Sequence, residues 1–329
     1  MNARTNNFWE NKRVLVTGGS GFVGSWLNYE LAVRGANVVS LDIKPARFLG
    51  EPYNALLKKV QYVEGDVRDV KLLRSLFADH KIDTVFHLAA SALVGEVLAD
   101  PAEALDTNII GTVRVLEEAR QHRGVHVVVA SSDKAYGPQE TLPYTEDFSL
   151  RGEFHPYDCS KSCADQIARM YARVYGLSTA VARCGNIYGG GDLHFSRLIP
   201  GTIQTMLQGK SIELRSDGLY MRDYIYVKDA VSAYLCLAEN LANGKIKGEA
   251  FNFGNNNPLR VLEIVDVLAR LMEKPSLKPI ILNNAKNEIL NQYLDSSKSK
   301  SVLGWGPAHK IEDGLKETIG WYKRHFQIT

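Results

Sequence analysis

Arg13-Val14-Leu15-Val16-Thr17-Gly18-Gly19-Ser20-Gly21-Phe22-Val23-Gly24 decides the fold. Its first residues form an apolar, β-branched run, and the glycines fall where that run ends. Apolar residues then recur at helical spacing through Val23, Leu27 and Leu31 until Gly35. A second apolar run, Asn37-Val38-Val39-Ser40-Leu41, ends in Asp42. Strand, glycine turn, helix and strand make a βαβ unit.

The glycines have separate physical jobs. Gly18 permits a tight turn, Gly21 lets the backbone approach a pyrophosphate, and Gly24 lets helix and strand pack closely. The helix opening at Phe22 and Val23 offers backbone N–H groups and a positive dipole end to the phosphates. Asp42, about 20 residues on, is placed to accept both hydroxyls of an adenosine ribose. A carboxylate there repels a 2′-phosphate, so NAD is expected rather than NADP; Lys44 and Arg47 weaken that preference slightly. The competing reading is a purely structural glycine turn, and strand, turn, helix, strand and acid in register argue against it.

Outward from this unit the alternation continues. Val60 to Val63 and Thr84 to Leu88 read as strands, Asp69 opens a helix to His80, and Asp100-Pro101-Ala102-Glu103 starts a long one. His126 to Ala130 and Ser178 to Arg183 are further strands, with a helix from Tyr157 to Tyr175 between them. Continuous apolar strands alternating with helices specify an α/β, doubly wound parallel sheet covered on both faces. Ligands of such sheets sit at the carboxyl ends of the strands. Gly18, Asp42, Asp66-Val67, Leu88-Ala89-Ala90 and Ser131-Ser132 all lie at that edge, and Asp66-Val67 suits an adenine. His87 reads as a strand residue facing its neighbours rather than as a catalyst.

After Arg183 the regularity breaks at Asn186-Ile187-Tyr188-Gly189-Gly190-Gly191-Asp192. A helix from Arg197 to Leu207 and a short strand near Ile280 follow, and Tyr224 to Val227 and Ala250 to Phe253 read as strands returning to the main sheet. The division expected is a dinucleotide-binding domain at 1–185, rejoined by 224–254, and a smaller interleaved substrate-binding lobe at 186–223 and 255–329.

Composition narrows the class. The 329 residues are 45% hydrophobic and 23% charged, with a net charge of +2, so neither a nucleic-acid field nor an acidic tail is present. No apolar run approaches the roughly 18 residues of a membrane span. Met1 to Arg13 lacks the apolar core of a signal peptide, and a cytoplasmic protein is expected. The 4 cysteines form no Cys-x-x-Cys pair. Cys159 and Cys163 share a helix face, yet two ligands do not make a site, and no metal is expected.

The chemistry is expected at Ser131-Ser132-Asp133-Lys134-Ala135-Tyr136-Gly137 and Tyr157-Asp158-Cys159-Ser160-Lys161. A tyrosine's reference pKa near 10 is too high for a base at neutral pH. Lys161, one helical turn from Tyr157, and a nicotinamide ring both favour the phenolate. Ser132 is placed to hydrogen-bond the same substrate oxygen. Tyr157 and Lys161 therefore count among both the catalytic and the cofactor-binding residues.

These residues carry a resemblance. Gly18 to Gly24, His87-Leu88-Ala89-Ala90, Asn108-Ile109-Ile110-Gly111-Thr112, Tyr157 with Lys161, Asn186-Ile187-Tyr188-Gly189 and Arg222-Asp223-Tyr224 resemble, in order, the landmarks of the extended short-chain dehydrogenase/reductase family, a Rossmann-fold group acting on nucleotide sugars. Within it, Phe8-Trp9, Gly24-Ser25-Trp26-Leu27, Ser132-Asp133-Lys134 and Gly189-Gly190-Gly191-Asp192 are most similar to the CDP-glucose 4,6-dehydratase branch. The resemblance implies that Asp133 protonates a departing 6-hydroxyl and that Lys134 takes the proton from carbon 5. It implies oxidation at carbon 4 with Tyr157 as base, loss of water across carbons 5 and 6, and hydride return to carbon 6. A base lysine must be neutral, and the other reading of Lys134 is a structural partner to Asp133. Asn186 and Arg222 would grip the diphosphate of a nucleotide-diphosphate sugar, with Arg197 as a helper or else a solvated surface residue. The family also implies a homodimer through the helices from Pro101 and Tyr157. Ser91 and Val94-Gly95-Glu96-Val97 depart from the dehydratase pattern near the hexose.

Two rival readings stand beside this one. A nucleotide-sugar 4-epimerase of the same fold would return hydride to carbon 4, though epimerases tend to carry small residues where Asp133 and Lys134 stand. A non-catalytic NAD-sensing protein would tend to lose Tyr157 and Lys161, which this chain keeps.

Overall fold

The computed structural model describes residues 8–46, 49–285 and 288–328. Arg47 and the N-terminal stretch before Phe8 lie outside them. Two compact units divide the chain. The first takes in the chain through Gly137, Glu146–Arg183 and Val231–Phe251; the second takes in Pro138–Thr145, Cys184–Ala230 and the chain from Asn252.

The first unit is built on β1 (Arg13–Thr17), β2 (Asn37–Asp42), β3 (Gln61–Glu64), β4 (Thr84–His87), β5 (His126–Ala130) and β6 (Ser178–Cys184). These strands are parallel in the order β6-β5-β4-β1-β2-β3, and Glu249–Phe253 lies beyond β6 as the seventh strand. The chain leaves β1 for β2 on one side and later places β4 on the other, so the order reverses beside β1. A crevice for a ligand opens at the carboxyl ends of strands at such a reversal. The doubly wound expectation is borne out.

The strands hold this arrangement because their side chains are apolar on both faces. Leu15, Val39, Leu41, Val85, Val127, Val129 and Val181 share one buried cluster with Leu73, Phe77, Val115 and Leu116 of the covering helices. The helices of this unit include α1 (Phe22–Val33), α2 (Val70–His80), α3 (Pro101–Leu105), α4 (Gly111–Arg120) and α5 (Pro156–Tyr175). Asp69 caps α2 by accepting the N–H groups of Lys71 and Leu72, and Asp100 caps α3 by accepting that of Glu103. The long helix expected from Pro101 is interrupted by a π-turn at Asp106–Ile110, where Asn108 is buried.

In the second unit, Tyr224–Tyr226 pairs in parallel with Asn186–Tyr188. It does not rejoin the main sheet, whereas Glu249–Phe253 does. The cause is the buried Asp223 just before it. Its carbonyl accepts the N–H of Asn186, and its carboxylate accepts the N–H of Asn255. Gly185 and Gly254 leave the room that this side chain fills. Among the described residues, no helix is long and apolar enough to cross a membrane.

Candidate active site

The glycine turn is fixed by steric exclusion. Gly18 has a φ of +70°, and a Cβ there would lie 2.6 Å from the Ala89 nitrogen. A Cβ on Gly24 would lie 2.3 Å from the Gly18 carbonyl oxygen, so α1 can start this close to β1 only with glycine there. No side chain caps α1 at Gly21, which leaves its first turn to a ligand's phosphates. Asp42 ends β2 and accepts the N–H groups of Ser20 and Lys44, both at 3.0 Å. The acid expected at the ribose thus also braces the turn expected at the pyrophosphate. These residues fit a dinucleotide.

The neighbouring strand ends complete the edge. Asp66 is gripped by Arg68 through contacts of 2.6 to 3.1 Å, and Arg68 also binds Glu103 and Asp106. That cation holds the Asp66 carboxyl below its ordinary pKa. Val67 is buried, and one of its methyl carbons would lie 2.8 Å from a Cβ on Gly111. Leu88, Ala89 and Ala90 follow β4, and the Leu88 N–H donates to the Thr17 carbonyl. His87 lies between Thr17 and Thr112, with ring nitrogens 2.7 and 3.0 Å from their hydroxyls. The Thr112 hydroxyl already donates to the Asn108 carbonyl, so His87 donates from Nε2 and accepts at Nδ1. Burial, then the charge of Lys161, pushes this ring down to about 3. It is a neutral structural histidine.

β5 ends at Ala130, and the chain turns through Ser131 and Ser132 into a 3-10 turn, Asp133–Tyr136. Ser132 accepts the Lys134 N–H at 3.2 Å and donates to the Asp133 carboxylate at 2.9 Å. Asp133 is buried. Helix α5 opens next to this turn, with His155 as cap accepting the Tyr157 N–H at 3.1 Å. Lys161 is buried and donates to the Ala130 carbonyl at 2.8 Å, its Nζ 5.9 Å from the centre of the Tyr157 ring. Ser132, Asp133, Lys134, Tyr157 and Lys161 therefore belong to one neighbourhood of the first unit, where β5, the turn and the start of α5 meet.

Three participants had no role in the sequence reading. Asn108 exchanges hydrogen bonds with Ser91 and donates to Ser160 at 2.8 Å, tying the loop after β4 to α5. Its signal in the sequence is its place at the head of the Asn108-to-Thr112 run, one of the landmarks of the resemblance. Asp158, beside Tyr157, is pushed up to about 7 by burial against the opposing charge of Lys134, with Asp133 adding to the rise. Arg183, fully buried on β6, bonds Asp165 and Tyr136. Nothing in the spacing of those three residues announces a cluster.

The substrate candidates lie in the second unit. Asn186 donates to the Asp223 carbonyl at 3.4 Å. Arg222 donates to the carbonyls of Met221, Leu290 and Ile289 at 2.6 to 2.9 Å. Arg197, preceding the helix Leu198–Leu207, pairs with the buried Asp192 at 3.0 Å.

A family model described as the NAD dependent epimerase/dehydratase family matches residues 14–254. The chain belongs to that family. NAD is its cofactor, in keeping with the glycine turn and Asp42. A CDP-glucose 4,6-dehydratase of Salmonella typhimurium is 32% identical, with 96% of this chain and 92% of that one covered. The structure of a dTDP-glucose 4,6-dehydratase from Bacillus anthracis in complex with NAD has a TM-score of 0.84 at 27% identity, covering 96% of this chain and 98% of that one. A UDP-glucose 4-epimerase from Thermotoga maritima, solved with UDP-glucose, has a TM-score of 0.85 at 29% identity, covering 95% and 99%. The relatives are nucleotide-sugar enzymes of both the dehydratase and the epimerase kinds.

Proposed function

We propose that this protein is a nucleotide-sugar 4,6-dehydratase taking a CDP-glucose-like substrate. The observation that carries the reading is the turn Asp133–Tyr136, which packs a buried carboxylate and an amine against the helix that carries Tyr157 and Lys161, both close enough to act on Asp158. An enzyme that only oxidised and re-reduced carbon 4 would need the tyrosine, the lysine and Ser132, but no further acid and base. The CDP-glucose 4,6-dehydratase relative supports the same choice of branch.

In this reading NAD, when bound, takes a hydride from carbon 4 and later returns one to carbon 6. Tyr157 removes the 4-hydroxyl proton, with Lys161 favouring the phenolate and Ser132 holding the oxygen. The resulting ketone makes the carbon 5 proton acidic, and Lys134 takes it, then gives a proton back to carbon 5 as hydride adds to carbon 6. Asp133 gives a proton to the departing 6-hydroxyl, which leaves as water. Asn186, Arg197 and Arg222 bind the diphosphate, a stronger acceptor than the carbonyls that Arg222 holds in the structure. Exposed Ile110, Met170 and Val174, on the π-turn and on α5, support a homodimer through these helices, and sedimentation at equilibrium tests it.

Incubation with CDP-, dTDP-, GDP- and UDP-hexoses, without added reductant, should give a product lighter by one water. An unchanged mass with a new stereoisomer would establish the 4-epimerase reading instead. Asp133→Asn should stop water loss, by roughly 10²-fold or more, while bound NAD still becomes partly reduced. Full turnover by that variant would remove Asp133 from the mechanism.

A further inference from the structure

Arg183 and Asp165 are both fully buried, and their side chains meet in a fork, Nε to Oδ2 at 2.7 Å and Nη2 to Oδ1 at 2.9 Å. The remaining nitrogen, Nη1, donates to the Tyr136 hydroxyl at 2.8 Å and reaches the Glu146 carbonyl at 3.5 Å. The guanidinium also stands 4.8 Å from the centre of the Tyr136 ring. Taking two charges out of water costs more than their attraction returns unless nearly every hydrogen bond is made, and an apolar pair of the same volume often does as well for stability. What the ion pair supplies that an apolar pair does not is a fixed set of directions and distances.

Those directions join three pieces of the active site. Arg183 lies on β6, next to β5. Asp165 lies one helical turn after Lys161 on α5, the helix that also carries Tyr157. Tyr136 closes the 3-10 turn that carries Asp133 and Lys134. The far end of that turn is fixed as well: the Arg151 N–H donates to the Tyr136 carbonyl, and Gly137, at a φ of +61°, has no room for a Cβ against Arg151.

We propose that Arg183 is a positioning residue whose fork to Asp165 and bond to Tyr136 hold the Asp133–Lys134 turn in register with the Tyr157–Lys161 helix. It thereby couples the residues assigned to elimination to those assigned to carbon oxidation. The proposal rests on the dehydratase reading for its kinetic effect, and on geometry alone for its structural one.

Tyr136→Phe tests it, because the ring contact and the Arg183–Asp165 pair stay while the hydrogen bond to the turn is lost. With NAD-loaded protein and the hexose that the wild type turns over, reduction of bound NAD should change by less than about threefold. Water loss should slow by roughly tenfold or more, so that reduced cofactor accumulates, a displacement well under 1 Å being enough for such a loss. Arg183→Lys, which keeps the charge without the fork, should show the same split. Equal loss in both steps, or no loss in either, would overturn the proposal.

A second measurement stands apart from the reaction. In hydrogen exchange on the NAD-loaded protein, peptides over 131–137 should exchange at least about fivefold faster in Tyr136→Phe, with 156–175 unchanged. Unaltered exchange at 131–137 would refute the positioning role whatever the chemistry. If the wild type removes water from no hexose, the dehydratase reading fails by itself, and the exchange result still decides on Arg183.

Discussion

The two turns at the carboxyl edge of the sheet, residues 18–24 after β1 and 133–137 after β5, are held by different kinds of contact. In the first, backbone meets backbone where Gly18 lies against Ala89 and Gly24 against the Gly18 carbonyl, and the Asp42 carboxylate accepts the Ser20 N–H. In the second, side chain meets side chain across long stretches of sequence, with Arg183 bridging to Asp165 18 residues away and to Tyr136 47 residues away. At Gly137, which has no room for a Cβ against Arg151, the second turn borrows the method of the first. A turn fixed by excluded volume breaks when one methyl group is added. A turn fixed by buried charges breaks when one hydrogen bond is removed.

Removal of chemistry should give the largest effect. Tyr157→Phe should lower turnover by roughly 10²- to 10⁴-fold with NAD still bound, as read by steady-state kinetics and by NAD titration. Normal turnover would take the catalytic role from α5. Next comes Gly18→Ala, which forces a side chain to a φ of +70° and against Ala89. Left-handed backbone costs about 1–2 kcal/mol and overpacking about 1–3 kcal/mol. NAD affinity should fall at least tenfold, with a lowered Tm; unaltered NAD binding would show that excluded volume does not set the first turn.

Asp42→Ala should have a smaller and more selective effect. It removes the brace on the Ser20 N–H and the charge that repels a 2′-phosphate. The preference for NAD over NADP should drop by roughly tenfold to a hundredfold, since a hydrogen bond to a charged group contributes about 1.5–3 kcal/mol. An unchanged cofactor ratio would assign the selectivity elsewhere.

The smallest effect separates the two regions by sign. His87, pushed down to about 3, is held neutral by the fold, so its contribution is complete above its ordinary 6.5 and is lost as pH falls toward 3. Asp158, pushed up to about 7, keeps its proton to higher pH in the folded chain than in the unfolded one, so its contribution is complete below its ordinary 3.8 and is lost as pH rises through 7. Asp158→Asn should therefore raise Tm by about 2–4 °C above pH 7 and leave it unchanged near pH 4, in thermal melts run across pH. A gain at low pH instead would show that Asp158 is ionised in the folded protein.

Much of the first region was legible in the sequence because its physics is local. A β-branched run that ends in glycines, followed by a helical apolar period, has few other solutions, and Gly18, Gly24 and Asp42 follow from that unit alone. The order of the strands was legible as a class, since apolar strands alternating with helices leave one architecture. The path of Tyr224–Tyr226 was not legible: an apolar trio reads alike whether it joins the main sheet or pairs with Asn186–Tyr188. The buried carboxylate of Asp223, seated where Gly185 and Gly254 make room, decides between them.

By itself the sequence determined the dinucleotide unit, the Tyr157–Lys161 spacing that puts both groups on one face of a helix, and the placing of Ser132, Asp133 and Lys134 at a strand end. Each depends on neighbours within a few residues, where chain geometry leaves little freedom. Only the tertiary structure decided that His87 is neutral between two threonines, that burial pushes the Asp158 carboxyl up to about 7, and that Arg183 ties the second turn to α5. Burial and charge pairing depend on which distant segments the fold brings together, and these set the chemistry of the turn on which the proposed reaction rests.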